Sequence, residues 1–227
     1  MGVKVALISD VHSNLVALDA VLADIDAIGV EQIVSAGDIV GYYPYPNETI
    51  ERFRSRNIRS ILGNHDRAVI RINPVGMNKM AAEAVLWTSK HVSADGVDYL
   101  RDLKARMQVR MGPHLAGIYH GSPRDDDEYL YEVDAGPELL EMCECDLLVV
   151  GHTHIPFIKT LGSGTIVNSG SVGQPRDGDR RASYVLYDGD SEVFQIRRVE
   201  YEVEVVDQEV QRVGLPKFLG ERLRHGF

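Results

Sequence analysis

The run Val3-Lys4-Val5-Ala6-Leu7-Ile8, followed at once by Ser9-Asp10-Val11-His12, decides how the rest of the chain is read. It is apolar enough for a buried strand, and it stops abruptly at polar residues. Just beyond, Leu15, Leu18, Leu22, Ile25 and Ile28 recur at three- and four-residue spacing, with Asn14 placed to cap a helix start and Gly29 to end it. A second apolar run at 32–36, another helical stretch and a third run at 58–62 complete a βαβαβ order. Strands alternating with helices predict a parallel sheet with the apolar face of the first helix lying on it.

Further along, the pattern from 78 to 106 is helical again, with Met80, Val85, Leu86, Val97, Leu100 and Leu103 at apolar positions and Gly96 interrupting, so two helices are expected. The second half then changes character. Short apolar runs at 107–111, 115–119, 147–150, 155–160, 165–167, 182–187 and 193–199, separated by Gly-rich turns, predict a second sheet, and a helical tail is expected around 208–224. No repeat or linker divides the chain, which is read as one domain, 1–227, carrying a helical flap at 68–106.

Composition narrows the partners. Of 227 residues 44% are hydrophobic and 26% charged, and 24 Lys and Arg against 34 Asp and Glu give a net charge of −10, which repels a duplex phosphate backbone. No duplex nucleic-acid partner is expected. The opening apolar run is too brief for a signal segment or a membrane span, so a cytoplasmic protein with no membrane partner is expected. The two cysteines, Cys143 and Cys145, are too few and too close to form a disulfide framework, and they read as a helix-end pair in a reducing compartment.

The polar residues that follow the apolar runs carry the chemistry. These ends read Asp10-Val11-His12, Gly37-Asp38, Gly63-Asn64-His65-Asp66, His120 and Gly151-His152-Thr153-His154. In an open α/β sheet ligands bind outside the carboxyl ends of strands, and here each such end offers a metal-ligand side chain. Asp10 with His12, and His152 with His154, stand two apart, a spacing that aims both members of a pair to one side if the segment is extended. Gly37, Gly63 and Gly151 allow the chain to turn or approach closely beside them.

Asp10, His12, Asp38, Asn64, His120, His152 and His154 exceed the three or four protein ligands of a single catalytic zinc site and suit two divalent ions sharing a bridging carboxylate. The donors are nitrogen and oxygen without thiolate, compatible with Mn, Fe, Zn or Ni. Two dications beside two aspartates leave a positive centre that attracts phosphate oxygens and supplies a bridging hydroxide near neutral pH, the arrangement for in-line attack on a phosphodiester or phosphomonoester. A small phosphoester, such as a nucleotide, is the expected substrate.

In this order and combination, the five blocks resemble the calcineurin-like metallophosphoesterases, with a residue of the expected type at every ligand position between Asp10 and His154. The resemblance implies an α/β fold: a four-layer αββα sandwich of two mixed sheets flanked by helices, with a dinuclear site at the C-terminal ends of strands. It assigns Asp10, His12 and His154 to one ion, Asn64, His120 and His152 to the other, and Asp38 to both. It leaves His65 for catalysis at the phosphate or the leaving oxygen, with Asp66 to orient it. The segment after Gly37-Asp38 lacks the Asp-Arg pair of the Ser/Thr protein phosphatases and diadenosine tetraphosphate hydrolases, which leans away from both branches. The loop 168–176 is similar to one in small prokaryotic members, and Arg176 or Arg124 is expected to supply the missing cation.

Tyr42, with Tyr43 and Tyr45, reads either as a stacking surface for the substrate or as a packed loop. His91 in a polar helical stretch, His114 opening a strand after Gly112-Pro113 and His225 in the tail are expected to have no functional role. The competing reading of the whole chain is a non-catalytic binding or scaffold module on the same fold, as in the retromer subunit that resembles this family; the complete ligand set and His65 argue against it.

Overall fold

The computed structural model describes residues 2–227. Strand β1 (Lys4–Ile8) is followed by helix α1 (Leu15–Ile28), β2 (Gln32–Ser35), α2 (Pro46–Ser55) and β3 (Arg59–Ser60). Asn14 accepts from the Ala17 amide and Gly29 ends α1 in the left-handed conformation, as its position predicts. Helices α3 (Asn64–Arg71), α4 (Lys79–His91) and α5 (Ala94–Asp102) come next, the last two filling the stretch expected to hold two helices.

The second half contains β4 (Arg106–Met111), β5 (His114–Tyr119), α6 (Pro137–Cys143), β6 (Leu147–Val150), β7 (Phe157–Leu161), β8 (Gly164–Asn168), β9 (Ala182–Asp188) and β10 (Val193–Val199). The tail forms α7 (Val203–Arg212) and the short α8 (Phe218–Glu221) rather than one helix, because Gly214-Leu215-Pro216 intervenes and proline cannot sit in a helix interior.

Two five-stranded sheets result, in the orders β10-β9-β1-β2-β3 and β4-β5-β6-β8-β7. The seven later runs were expected in the second sheet, but only five join it. The runs at 182–187 and 193–199 return to the first, where β9 pairs antiparallel with β1 from Lys4↔Asp188 to Leu7↔Val185. The first sheet is therefore mixed: β1, β2 and β3 are parallel, and β9 and β10 are antiparallel additions that cover the otherwise open edge of β1.

Strand alternation builds the layers. Val5 and Leu7 of β1 face the second sheet, in a core shared with Val109, Ile118, Leu147, Val149 and Val167. Ala6 and Ile8 face the other way, onto Leu18, Leu22 and Ile25 of α1 and Phe53 of α2. Leu148 and Val150 of β6 pack outward on Leu139, Leu140 and Cys143 of α6. The order is helices, sheet, sheet, helix. The Cys143 and Cys145 sulfurs are bonded to one another, a link the sequence reading did not anticipate; spanning two residues, it ties no distant segments together.

Because β1, β2 and β3 run parallel, and β5 runs parallel to β6, their C-terminal ends lie together at one edge of the sandwich. Backbone bonds continue past the strands and lock the loops: the Asp10 amide donates to Gly37, His12 to Asp38 and Gly151 to His120.

Candidate metal centre

All seven ligand candidates except Asn64 are buried: Asp10 and His12 are 0% exposed, Asp38 and His120 1%, His154 2% and His152 6%. Such a concentration of polar groups is costly unless something satisfies it. Their carboxylates and imidazoles, together with His65, fall into groups whose donor atoms lie within 4.8 Å of one another, namely Asp10-His12-His154, His12-Asp38-His65 and Asp38-His120-His152. His12 Nε2 is 3.1 Å from His154 Nε2 and 3.6 Å from Asp38 Oδ2. On the other side of Asp38, His120 Nε2 lies 3.4 Å from Oδ2, 3.0 Å from Asn64 Oδ1 and 3.1 Å from His152 Nδ1. Asp38 thus stands between two sets of donors.

The second ring nitrogens fix the tautomers. His12, His120 and His154 direct Nδ1 at the carbonyls of Val40, Ala36 and Gln174. A carbonyl only accepts, so Nδ1 carries the proton and Nε2 turns its lone pair into the cluster, as a metal requires. Asp10 Oδ2 accepts from the His152 amide at 3.1 Å, while Oδ1 is buried without a hydrogen-bond partner and faces His154 Nε2 at 3.4 Å. That orphaned oxygen and those lone pairs are the donor set that divalent ions fit.

The backbone reaches this geometry by an unexpected route. Asp10, His12, Asp38, His152 and His154 all have φ between 51° and 66°. In this left-handed region an L-residue costs roughly 1–2 kcal/mol, so the pairs two apart converge through turns and not along an extended strand. Close approach adds to the crowding. A Cβ on Gly63 would lie 2.0 Å from Asp38 Oδ1 and 2.4 Å from the Asp38 amide nitrogen. Gly63→Ala is therefore expected to lower unfolding free energy by about 1–3 kcal/mol and to weaken metal retention, measured by urea denaturation and by metal content after dialysis.

Electrostatics follow from burial. It pushes Asp10 up to about 7, and drives His12 and His154 well below the usual imidazole range. Burial, with His120 nearby, takes His152 down to about 3. For Asp38 burial acts upward, but His120, His65 and His12 outweigh it and hold the carboxyl well below the ordinary range. For His120 burial acts downward, and Asp38 overcomes it, pushing the ring up to about 9, so without a metal Nε2 holds a second proton, which a metal binding there would displace to free the lone pair. Burial lowers His65 to about 4, below the near-neutral value expected of a proton donor.

The His65 ring packs against both Tyr42 and His12, with centroids at 4.5 and 4.6 Å, and its Nδ1 has no hydrogen-bond partner. Asp66 does not orient it, contrary to expectation. As the third residue of α3, Asp66 accepts from the amides of Ile39, Val40 and Gly63, and both its oxygens are spent on tying α3 to the loop after β2.

A cavity of about 420 Å³ opens beside the cluster, lined in part by Tyr42, Asn64, His65, Tyr129 and His152. Tyr42 is 2% exposed, and its hydroxyl accepts from Arg176, which also donates to Gln174. Arg176 thus reaches the neighbourhood of the cluster through Tyr42. Arg124 does not line the cavity: it is exposed and paired with Glu128 and Glu138. His91 stacks on Trp87, His114 pairs with Asp146 and His225 stacks on Phe227, all apart from the cluster.

Sequence reading missed Arg67, Arg71 and Tyr129, which line the cavity. For the two arginines a signal was present, since they follow Asn64 by three and seven residues, the same-face spacing of a helix. Tyr129 offered none: its ring reaches His152, at 4.1 Å between centroids, from an irregular loop.

Residues 3–192 match the calcineurin-like phosphoesterase superfamily domain. An uncharacterized protein of Methanocaldococcus jannaschii is 37% identical over 239 residues, covering 96% of each chain. The crystal structure of a metallophosphoesterase from Sphaerobacter thermophilus is 37% identical and matches over 100% of both chains with a TM-score of 0.86. A hypothetical protein from Pyrococcus horikoshii OT3, 24% identical, shares the fold over 99% of both chains with a TM-score of 0.89. With the ligand pattern, the two mixed sheets and the family domain all in agreement, the chain belongs to the calcineurin-like phosphoesterase superfamily.

Proposed function

We propose that the protein is a dinuclear metal-dependent hydrolase of small phosphodiesters or phosphomonoesters. The observation that carries this reading is Asp38, shared between two sets of donors that are otherwise separate, Asp10-His12-His154 and Asn64-His120-His152. When bound, two divalent ions, Mn, Fe, Zn or Ni, supply positive charge against phosphate oxygens and make hydroxide available near neutral pH for in-line attack.

The chain's own residues do the rest. Carbonyls of Val40, Ala36 and Gln174 hold three imidazoles with their lone pairs inward. The loop amides bound by Asp66 fix the entry of α3, and so the direction of Asn64 and His65. His65, 5% exposed and lining the cavity, offers a ring N–H to a phosphate or leaving-group oxygen. Tyr42 backs His65 and links it to Arg176, whose charge adds to the positive field over the bound phosphate. No helix among the described residues is long and apolar enough to cross a membrane.

The test is turnover of bis-p-nitrophenyl phosphate and p-nitrophenyl phosphate by metal-stripped protein, resupplied separately with Mn, Ni, Zn or Mg. Stripped protein is expected to be folded and inactive, with activity returning as about two equivalents of metal bind. Folded protein that binds two ions and turns over neither ester would instead favour a binding module.

A further inference from the structure

The cavity extends away from the cluster along one face of α3. Asn64, Arg67, Ala68 and Arg71 all line it, and spacings of three, four and seven residues place them in one row. At about 1.5 Å of rise per residue, Arg67 stands about 4.5 Å and Arg71 about 10.5 Å along the axis from Asn64. Helical side chains lean toward the N-terminus, which brings the Arg71 guanidinium back over the preceding turn, toward the cluster. Ala68, small and set between the two arginines, leaves the floor of the row open.

The two arginines are not equivalent. Arg67 has a side chain only 17% exposed and is paired with Asp127 on the facing wall, so its charge is answered. Arg71 is exposed and, among the described residues, has no ion-pair or hydrogen-bond partner. In a protein of net charge −10 this leaves one uncompensated cation at the far end of a cavity whose near end is the metal cluster. The volume, about 420 Å³, is that of a site for a small molecule, not for one phosphate group. Tyr129, 52% exposed and lying against His152, adds a flat wall for a ring beside the cluster.

We propose that the substrate is a phosphoester carrying a second phosphate, which Arg71 holds about 6–10 Å from the scissile one. This proposal rests on the hydrolase reading above and specifies its substrate. The second phosphate enters no bond change; it orients the ester by a charge-assisted hydrogen bond, while Arg67 stays committed to Asp127.

The experiment compares, on metal-loaded protein, the binding of thymidine carrying a phosphate on each of its two hydroxyls with that of thymidine monophosphate, by calorimetry. Hydrolysis of the dinucleotide TpT is compared in parallel with that of TpT bearing a terminal phosphate. The doubly phosphorylated ligand is expected to bind about tenfold tighter or better. Arg71→Ala is expected to bring the ratio of the two affinities close to one, with Arg71→Lys retaining part of it. Since Arg71 is exposed and unpaired, the denaturation midpoint reports whether either variant has lost its fold. Equal binding of the two ligands by the unmodified protein, or a preference that survives Arg71→Ala, overturns the proposal. Absence of hydrolysis of TpT, of bis-p-nitrophenyl phosphate and of the monoester p-nitrophenyl phosphate overturns the hydrolase reading instead, and the binding ratio still decides whether Arg71 forms a phosphate subsite.

Discussion

Asp38→Asn is expected, on the dinuclear reading proposed above, to lower kcat/KM by about 10³-fold and to reduce bound metal from two equivalents toward one. The substitution preserves shape and the oxygen that accepts from the His65 amide, 2.8 Å away, but removes the negative charge facing His12 at 3.6 Å and His120 at 3.4 Å. Asp38 belongs to two of the side-chain groups that could hold a metal ion, so its charge bears on both. Loss of one well-placed charge at a metal centre is worth several kcal/mol, and about 4 kcal/mol corresponds to the factor stated. Metal content after gel filtration and turnover of bis-p-nitrophenyl phosphate check it together. A variant that keeps both its ions and its turnover would sink the shared-ligand assignment.

His65→Ala is expected to lower kcat by about 10²–10³-fold while metal content stays unchanged, the size of effect seen when one preorganised donor is removed. The ring lines the cavity and its Nδ1 has no protein partner, so truncation leaves no buried group newly unpaired there. Because burial keeps this imidazole neutral, we expect it to donate an N–H hydrogen bond rather than a full proton. The deficit should then be of similar size for esters of p-nitrophenol and of a simple alcohol. A deficit that grows with the basicity of the leaving group would assign proton transfer to His65. Loss of metal along with activity would make it a ligand.

Helices α1, α2, α4 and α5 and most strands were legible because their signals are local, whereas α3 was not read from the sequence. Apolar spacing in 15–28, the Asn14 cap and the Gly29 stop act within a few residues, and the structure reproduces them. The ligand types were legible for the same reason: the five blocks come soon after the ends of five strands, and parallel strands bring their C-terminal ends together. Asp66 shows the limit of such reading. Its neighbour His65 suggested a functional pair, but both its carboxylate oxygens face backbone amides across the start of α3.

From the sequence alone came the βαβαβ opening, the two helices of 78–106, the seven candidate ligands and the family, since each depends on which residues adjoin along the chain. Tertiary structure decided the rest. Whether 182–199 joins the second sheet or returns to β1 depends on which strand edge is open, and edges exist only once the chain has folded. The left-handed turns at Asp10, His12, Asp38, His152 and His154 are held by bonds between loops far apart in sequence. Arg124 and Arg71, both exposed arginines, differ only in their surroundings: Glu128 and Glu138 occupy the first, and the cavity wall leaves the second free. Charge belongs to the residue, but its availability belongs to the fold.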